Sequence, residues 1–380
     1  MGPLSPFSAV VSGIGSALSP TVVLVVLATV LGVGLAVLAA LTLGRSVVRS
    51  VGDSRRERVR DDLQDELVDR IFDPEVDWSA WVEGLSGLER SVAEELLDEY
   101  VRELDGRTVE SLRGLGEELG IPGRSTNRLL SRREYERLGG LTWLALLGRP
   151  DQVRAAAFSP ETVRERAAVA RMRHETDDLD DATEGLKILL SDTTAQFSVF
   201  GQDTLYRIAL QRPSALFEIA RDSYESWPTP LLVQVLVVCQ HVGSNVSTED
   251  LSWLTALLEH DDPAVREAAT LALGYVGWRR DIRSPALVTR LVADPSPRVR
   301  RAVYRMLARW GDTGAIEMLT GALQTEDHPQ TRLAGTDALA EQREQFPLAM
   351  AGPLEQAWLW SQEQARYDSI ARKQERSVGD

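Results

Sequence analysis

Two residue types that carry much of protein chemistry are nearly missing from this chain. Its single cysteine, Cys239, cannot form an internal disulfide, and its apolar surroundings predict a buried, unreactive thiol. The four histidines lie far apart and form neither His-x-x-x-His nor Cys-x-x-Cys metal patterns: His174, His241, His260 and His328. The sequence therefore predicts no metal site and no cofactor.

Catalytic signatures are missing as well. No Gly-x-x-x-x-Gly-Lys-Ser/Thr phosphate loop and no Gly-x-Ser-x-Gly nucleophile elbow occurs. The acidic cluster Asp177–Asp181 lacks the spacing of a calcium loop, and Glu259–Asp262 lies at a turn between helices where capping aspartates are expected. We interpret both as solvated turns rather than metal sites. These absences predict a protein that is not an enzyme.

Lysine is the third scarce residue. Only Lys187 and Lys373 occur, against 40 arginines, and the net charge is −15. Residues 1–60 carry six arginines and two acids, a net charge of +4, which leaves −19 for residues 61–380. So acidic a body repels phosphates, which argues against a nucleic-acid partner. Few lysines with excess acid resemble proteins of salt-loving archaea, and that resemblance implies adaptation to solvent.

One long apolar run stands near the N-terminus, after a short tail of residues 1–20. Residues 21–43 contain no charge, and as a helix these 23 residues would extend about 34 Å. We interpret them as a transmembrane helix. A cleaved signal peptide is the alternative, although residues 1–20 contain no basic residue and the run is longer than a usual signal core.

The charges around this run predict its orientation and location. Six arginines follow it and none precedes it, so the body should face the cytoplasm at the cell membrane. Small residues recur every fourth position along the run and could let another transmembrane helix pack closely: Ala28, Gly32, Ala36 and Ala40.

Helical periodicity dominates the rest of the chain. Residues 44–83 are charged and predict a juxtamembrane helix or linker, and residues 84–154 predict a helical segment. Within that segment, apolar residues recur at helical spacing over Ser91–Leu104, Thr108–Leu119 and Thr126–Leu147. No stretch alternates as a strand does, so the sequence predicts an all-α fold.

An internal repeat is clearest near the C-terminal half. Asp262-Pro263-Ala264-Val265-Arg266 is echoed 34 residues later around Pro297 and Arg300, and again 32 residues further on around Pro329 and Arg332. A shorter apolar helix precedes each of these segments. Proline suits the first turn of a helix, and Asp262 or Ser296 can cap it. Each helix pair leaves an apolar face that only a neighbouring pair can cover.

The segment Asp262–Ala269, with Leu273-Gly274, resembles the second helix of a HEAT repeat. The resemblance implies an α-α superhelix (a HEAT-like solenoid) over residues 155–345, with a capping helix and tail in residues 346–380. In similar repeats, arginines at the positions of Arg266, Arg300 and Arg332 pair with acids of the adjacent unit. HEAT-like deoxyhypusine hydroxylases hold iron with several His-Glu pairs, whereas this chain has only His174-Glu175.

Two features hint at a binding surface. Arg301, Arg305 and Arg309 lie four residues apart on one helix, opposite its core positions, and Tyr275 is the counterpart of Arg309 one repeat earlier. The second feature is Trp358 and Trp360, which a terminal capping helix would bury.

The anchor, the arginine-rich segment and the repeats together resemble membrane-tethered HEAT-repeat proteins of archaea and bacteria. Because HEAT arrays generally bind proteins, we expect a cytoplasm-facing scaffold or adaptor. The resemblance suggests a membrane-embedded cell-surface biosynthesis enzyme as one class of partner. The alternatives are a HEAT-like enzyme, such as a lyase or metal-dependent hydroxylase, and a structural membrane oligomer.

Overall fold

The described residues fold into helices because their apolar side chains recur at helical spacing and their boundaries carry capping residues. A computed structural model describes residues 55–73, 75–104, 106–246, 250–276, 279, 282–340 and 354–364, together with Thr29, Leu31 and Gly34. Every regular element among these residues is an α-helix or a short 3-10 helix. The prediction of an all-α fold is confirmed for this part of the chain.

The chain divides into two compact units, Met1–Ile121 and Pro122–Asp380. In the first, the helices are α1 (55–71), α2 (Trp78–Gly84), α3 (Gly87–Glu103) and α4 (Arg107–Glu118). A capping box begins α3, in which the Ser86 hydroxyl accepts from the backbone of Glu89 and the Glu89 carboxylate accepts from that of Ser86. Two predicted helices, Ser91–Leu104 and Thr108–Leu119, therefore correspond to α3 and α4.

Helix α1 packs onto its unit through buried Leu63, Leu67 and Ile71. Two arginines of the basic segment after the predicted span, Arg56 and Arg60, pair with Glu95 and Glu99 of α3. These two arginines therefore also stabilise the helical unit, a role that the charge pattern did not suggest.

Helix α5 (Ile121–Leu129) begins at the unit boundary, and the second unit continues with α6 (Glu134–Leu146), α7 (Pro150–Ala155), α8 (Val163–Glu175) and α9 (Ala182–Leu190). It then contains α10 (Val199–Gln211), α11 (Pro213–Ser223), α12 (Thr229–Val242), α13 (Ser252–Ala256) and α14 (Pro263–Tyr275). The last helices are α15 (Pro285–Val292), α16 (Pro297–Trp310), α17 (Thr313–Thr325), α18 (Pro329–Ala340) and α19 (354–364).

Alternate helices of the second unit form one continuous layer. Helices α6, α8, α10, α12, α14, α16 and α18 each contact the next member of this series, which we call the inner layer. Helices α9, α11, α13, α15 and α17, which we call the outer helices, pack against it, and α7 packs on α6. One buried apolar cluster runs from α8 to α19, so the helix pairs cover one another as the repeat predicts.

Helix α16 shows how the sequence sets the ends of an inner helix. Pro297 occupies its first turn, and Gly311 ends it in the left-handed region with a φ of 64°. Asp262 caps the equivalent helix α14 by accepting from the backbone N–H of Ala264. The sequence predicts the same role for Ser296 at α16, but its side chain makes no capping bond; its backbone N–H instead donates to Asp294.

The helical spacing over Thr126–Leu147 does not correspond to one helix, because the structure breaks it between Leu129 and Glu134. The carbonyl of Ser131, inside the break, accepts a hydrogen bond from the Arg137 guanidinium at 3.0 Å. A continuous helix would have used that carbonyl internally.

The structure describes only Thr29, Leu31 and Gly34 of the predicted membrane span, and all three are helical. Among the residues it describes, no helix combines the length and apolar character that crossing a bilayer requires. The small residues Ala28, Gly32, Ala36 and Ala40 lie outside the described residues. The span therefore stays a prediction.

Candidate protein-binding cleft

Helix α16 has two faces of opposite character. Its buried face includes Val299, Val303 and Leu307, each less than 1% exposed. Arg305 and Arg309 are exposed on the other side, and Arg301 is partly exposed. The period of 3.6 residues separates these sets, because residues four apart share one face of a helix.

The exposed side of α16 forms part of a cleft of about 470 Å³. Four successive helices of the inner layer contribute to it, from α12 through α14 and α16 to α18. Its lining residues are Gln240, Leu271, Gly274, Tyr275, Arg305, Met306, Ala308, Arg309, Ala334, Asp337 and Ala338. Three of the four predicted binding residues thus come together in one cleft, whereas Arg301 does not line it.

A cation–π contact fixes the geometry at the centre of the cleft. The Arg309 guanidinium carbon lies 3.4 Å from the centroid of the Tyr275 ring. Stacking of this kind is worth about 0.5–1 kcal/mol at exposed sites, and it limits the conformations of a long side chain. The face of the guanidinium is thereby occupied, and its N–H edge stays available to an acceptor.

The floor of the cleft depends on a close approach of α14 and α16. A Cβ atom at Gly274 would lie 3.2 Å from the Cα of Met306 and 3.3 Å from its Cβ. Such distances are tighter than ordinary van der Waals contact, so the two helices approach this closely only because residue 274 has no side chain.

The arginines of the cleft differ from Arg298 and Arg300 on the same helix in having no acidic partner, and Arg301 has none among the described residues either. Among the described residues, Arg305 and Arg309 form no ion pair. Arg298, at the beginning of α16, pairs with Glu267, and Arg300 pairs with Glu326. The one carboxylate in the cleft, Asp337, accepts a hydrogen bond from Ser361 of α19.

The paired arginines link successive repeats. Arg266 donates to both carboxylate oxygens of Asp294 at 2.8 and 3.0 Å, and Arg300 donates to both of Glu326 at 2.8 Å. Each acceptor precedes the next inner helix. Each arginine also donates to the carbonyl six residues before it, that of His260 or Asp294.

The third arginine expected to pair in this way, Arg332, differs from the other two. Its guanidinium has no hydrogen-bond or ion-pair partner among the residues that the structure describes. The sequence analysis did not predict that a further arginine, Arg137, pairs in the same way. It donates to Glu165 at 2.7 Å and to the carbonyl six residues before it, as Arg266 and Arg300 do. The sequence spacing could have identified Arg137, because Arg137 and Arg266 both precede their acidic partners by 28 residues.

Glu326 is the most perturbed carboxylate in these linkages. Burial tends to raise its pKa, but hydrogen bonds from Arg300, Tyr304 and the backbone N–H of His328 outweigh burial and lower the pKa to about 2. The Tyr304 hydroxyl donates to Glu326 at 2.7 Å, and burial together with this bond raises the pKa of Tyr304. This network joins α16 to the turn before α18.

Other candidate features are less suited to a partner. A shallow cavity of about 680 Å³ lies beside Tyr224 and Trp253, and another of about 420 Å³ lies over Arg300 and Glu326. No group of three His, Cys, Asp or Glu side chains arranged to hold a metal occurs within the described ranges. Burial raises the pKa of the Cys239 thiol, as expected for an apolar site.

The terminal tryptophans divide between core and surface. Trp358 is partly buried against the main apolar cluster, whereas Trp360 is 50% exposed. The expectation that a terminal helix buries both is therefore wrong for Trp360, because it lies two residues from Trp358 and points to another side of α19.

The family model for HEAT repeats matches residues 284–351. Residues 284–351 are therefore similar to HEAT repeats, and the described helices from α9 to α14 in the second unit are also arranged in pairs. The match covers α15 to α18, which include two of the four inner helices that line the cleft. No curated protein matches the chain, and no solved structure matches it. HEAT repeats are commonly scaffolds for protein interactions, so a cleft on these helices is a candidate site for binding a protein.

Leu271, Gln240 and Asp337 belong to the cleft but were not predicted as binding residues. Leu271 and Asp337 are the counterparts of Arg305 in the preceding and following repeats. Aligning the repeats at shifts of 34 and 32 residues therefore identifies Leu271, Arg305 and Asp337 as equivalent positions. Only the structure shows that these three residues share a cleft.

Proposed function

We propose that this chain is a membrane-tethered helical-repeat scaffold that recruits a protein partner through the cleft on its inner layer. The observation that carries the proposal is the cleft itself, where Tyr275, Arg305 and Arg309 combine an aromatic ring with two cations that form no ion pair with any described carboxylate. Aromatic and arginine side chains are the types most enriched at the energetic centres of protein interfaces.

The tether rests on the apolar run of residues 21–43 and the arginines that follow it. It would hold the repeats at the cytoplasmic face of the cell membrane. A tethered scaffold would meet membrane partners by diffusion in two dimensions. The resemblance to membrane-tethered HEAT-repeat proteins suggests a membrane-embedded enzyme of cell-surface biosynthesis, which we propose as the first partner class to test.

The proposed binding is tested by affinity capture from detergent-solubilised membranes, followed by mass spectrometry. The full chain should capture a reproducible partner, and an Arg305→Gln/Arg309→Gln variant should lose most of it. Arg128→Gln/Arg290→Gln is the matched control, because both arginines are exposed on helices that do not line the cleft. Equal capture by all three proteins would contradict the proposal.

The proposed topology is tested with an impermeant maleimide, since the buried Cys239 should stay unlabelled in the folded protein. A Ser5→Cys variant should react in intact cells, and a Ser252→Cys variant should react only after the cells are opened. Reaction of both in intact cells, or of neither, would argue against a tether with a cytoplasmic body.

A further inference from the structure

An unpaired pair of arginines is unexpected in so acidic a chain. The net charge is −15, and carboxylates within reach partner many described arginines, including Arg266, Arg298 and Arg300. Arg305 and Arg309 lie one turn apart on α16, where like charges destabilise a helix by about 0.2–0.5 kcal/mol. Stacking of Arg309 on Tyr275 offsets part of this repulsion, but no described carboxylate forms an ion pair with either arginine.

The residues around Arg305 and Arg309 indicate which kind of ligand would pair with these two cations. Arg309 stacks on Tyr275 and keeps its N–H edge free, and a guanidinium edge matches the two oxygens of a carboxylate. Leu271, the counterpart of Arg305 one repeat earlier, adds a partly exposed aliphatic wall on α14. The cleft therefore places an apolar wall next to a cationic one.

From these contacts, we propose that the cleft binds a short acidic segment of the partner protein, with carboxylates on Arg305 and Arg309 and an adjacent apolar side chain against Leu271 and Tyr275. This inference rests on the proposed function and specifies the chemistry of the partner.

The charge of the remaining surface limits the length of that segment. Asp337 lies within the cleft, and Glu267 lies one turn before Leu271 on α14, where Arg298 pairs with it. A long polyanion would extend from the cleft onto a body that carries an excess of acid. Charges farther than about 8 Å are screened at physiological salt, so a few carboxylates seated on the arginines avoid most of that repulsion. A short acidic peptide therefore fits the cleft better than a nucleic acid does.

Fluorescence anisotropy with the full chain in detergent tests the inference. The probes are labelled peptides of sequence Gly-Glu-Asp-Leu-Tyr-Asp-Glu-Gly and its amide counterpart Gly-Gln-Asn-Leu-Tyr-Asn-Gln-Gly. We expect the acidic peptide to bind at least about tenfold more tightly, and each Arg→Gln change at 305 or 309 to weaken it by about tenfold. The Arg128→Gln/Arg290→Gln control should bind like the parent protein, which has the same cleft.

Several outcomes would overturn the inference. Equal affinity for the two peptides would do so, as would tighter binding of single-stranded DNA or of a phosphoserine peptide than of the acidic peptide. Loss of a dimer in sedimentation when Arg305 and Arg309 are replaced would identify a second copy as the occupant. If affinity capture still recovers a cleft-dependent partner in these cases, the proposed function stands and only the acidic segment fails.

Discussion

The two ends of helix α16 use arginine in opposite ways. Near its beginning, Arg300 is largely buried and bonds to both oxygens of Glu326, while near its end Arg309 is exposed, stacks on the Tyr275 ring and forms no ion pair with a described residue. The first arrangement links one repeat to the next through a paired charge, whereas the second leaves the charge without a carboxylate partner among the described residues. The partner of the side chain, not the residue type, therefore separates a structural arginine from a binding one.

Removing the structural arginine should have the largest effect. Arg300→Met leaves Glu326, whose side chain is 2% exposed, as a buried charge without its main partner. We expect the free energy of unfolding to fall by about 3–4 kcal/mol, measured by urea denaturation with circular dichroism. Arg298→Met, on the same helix but in a more exposed pair, should cost less than about 1 kcal/mol. Equal losses would remove the distinction between buried and exposed pairs.

Acid should weaken the same linkage. The folded pKa of Glu326 is about 2 against an ordinary value of 4.5, so its stabilisation is fully present above pH 4.5 and is lost as the pH falls toward 2. The loss should be on the order of 2–3 kcal/mol, measured by urea denaturation across that pH window. A Glu326→Gln variant should be less stable at neutral pH and show a smaller further loss in acid; an unchanged pH profile would refute this assignment.

Close helix packing beside the Arg300–Glu326 linkage gives a third prediction. A Cβ at Gly335 would lie 2.5 Å from the Leu323 Cδ2 and 2.8 Å from the Tyr304 Cδ2, so Gly335→Ala should destabilise the unit by about 1–3 kcal/mol. A Cβ at Gly321 on α17 would meet no atom within 4 Å, and Gly321→Ala should stabilise by up to about 1 kcal/mol. Thermal melting of both variants checks the pair, and shifts of the same sign would contradict it.

The smallest effect on stability should come from the cleft. Arg305→Gln/Arg309→Gln removes the repulsion between two like charges and also the stacking of Arg309 on Tyr275, and these effects oppose each other, so the free energy of unfolding should change by less than about 1 kcal/mol. Urea denaturation measures this directly. A loss as large as that of Arg300→Met would show that the two arginines serve the fold and would remove the basis for a binding role.

Much of this fold could be predicted from the pattern around Pro263, Pro297 and Pro329, because proline, arginine and small residues recur at fixed positions of each inner helix. The break after Leu129 could not, since it depends on Arg137 reaching the carbonyl of Ser131. Arg137 itself follows no proline, which concealed its equivalence to Arg266. The spacing of Arg305 and Arg309 suggested a binding patch, but their cleft depends on how closely α14 and α16 approach at Gly274.

Site-specific photocrosslinking in native membranes tests the central claim most directly. A photoreactive phenylalanine analogue replaces Leu271 in the cleft or, as the control, the exposed Thr289 on the outer helix α15. We expect a discrete covalent adduct with one protein from position 271 and none from position 289. An adduct from position 289 alone would place the partner on the outer helices and contradict binding in the cleft.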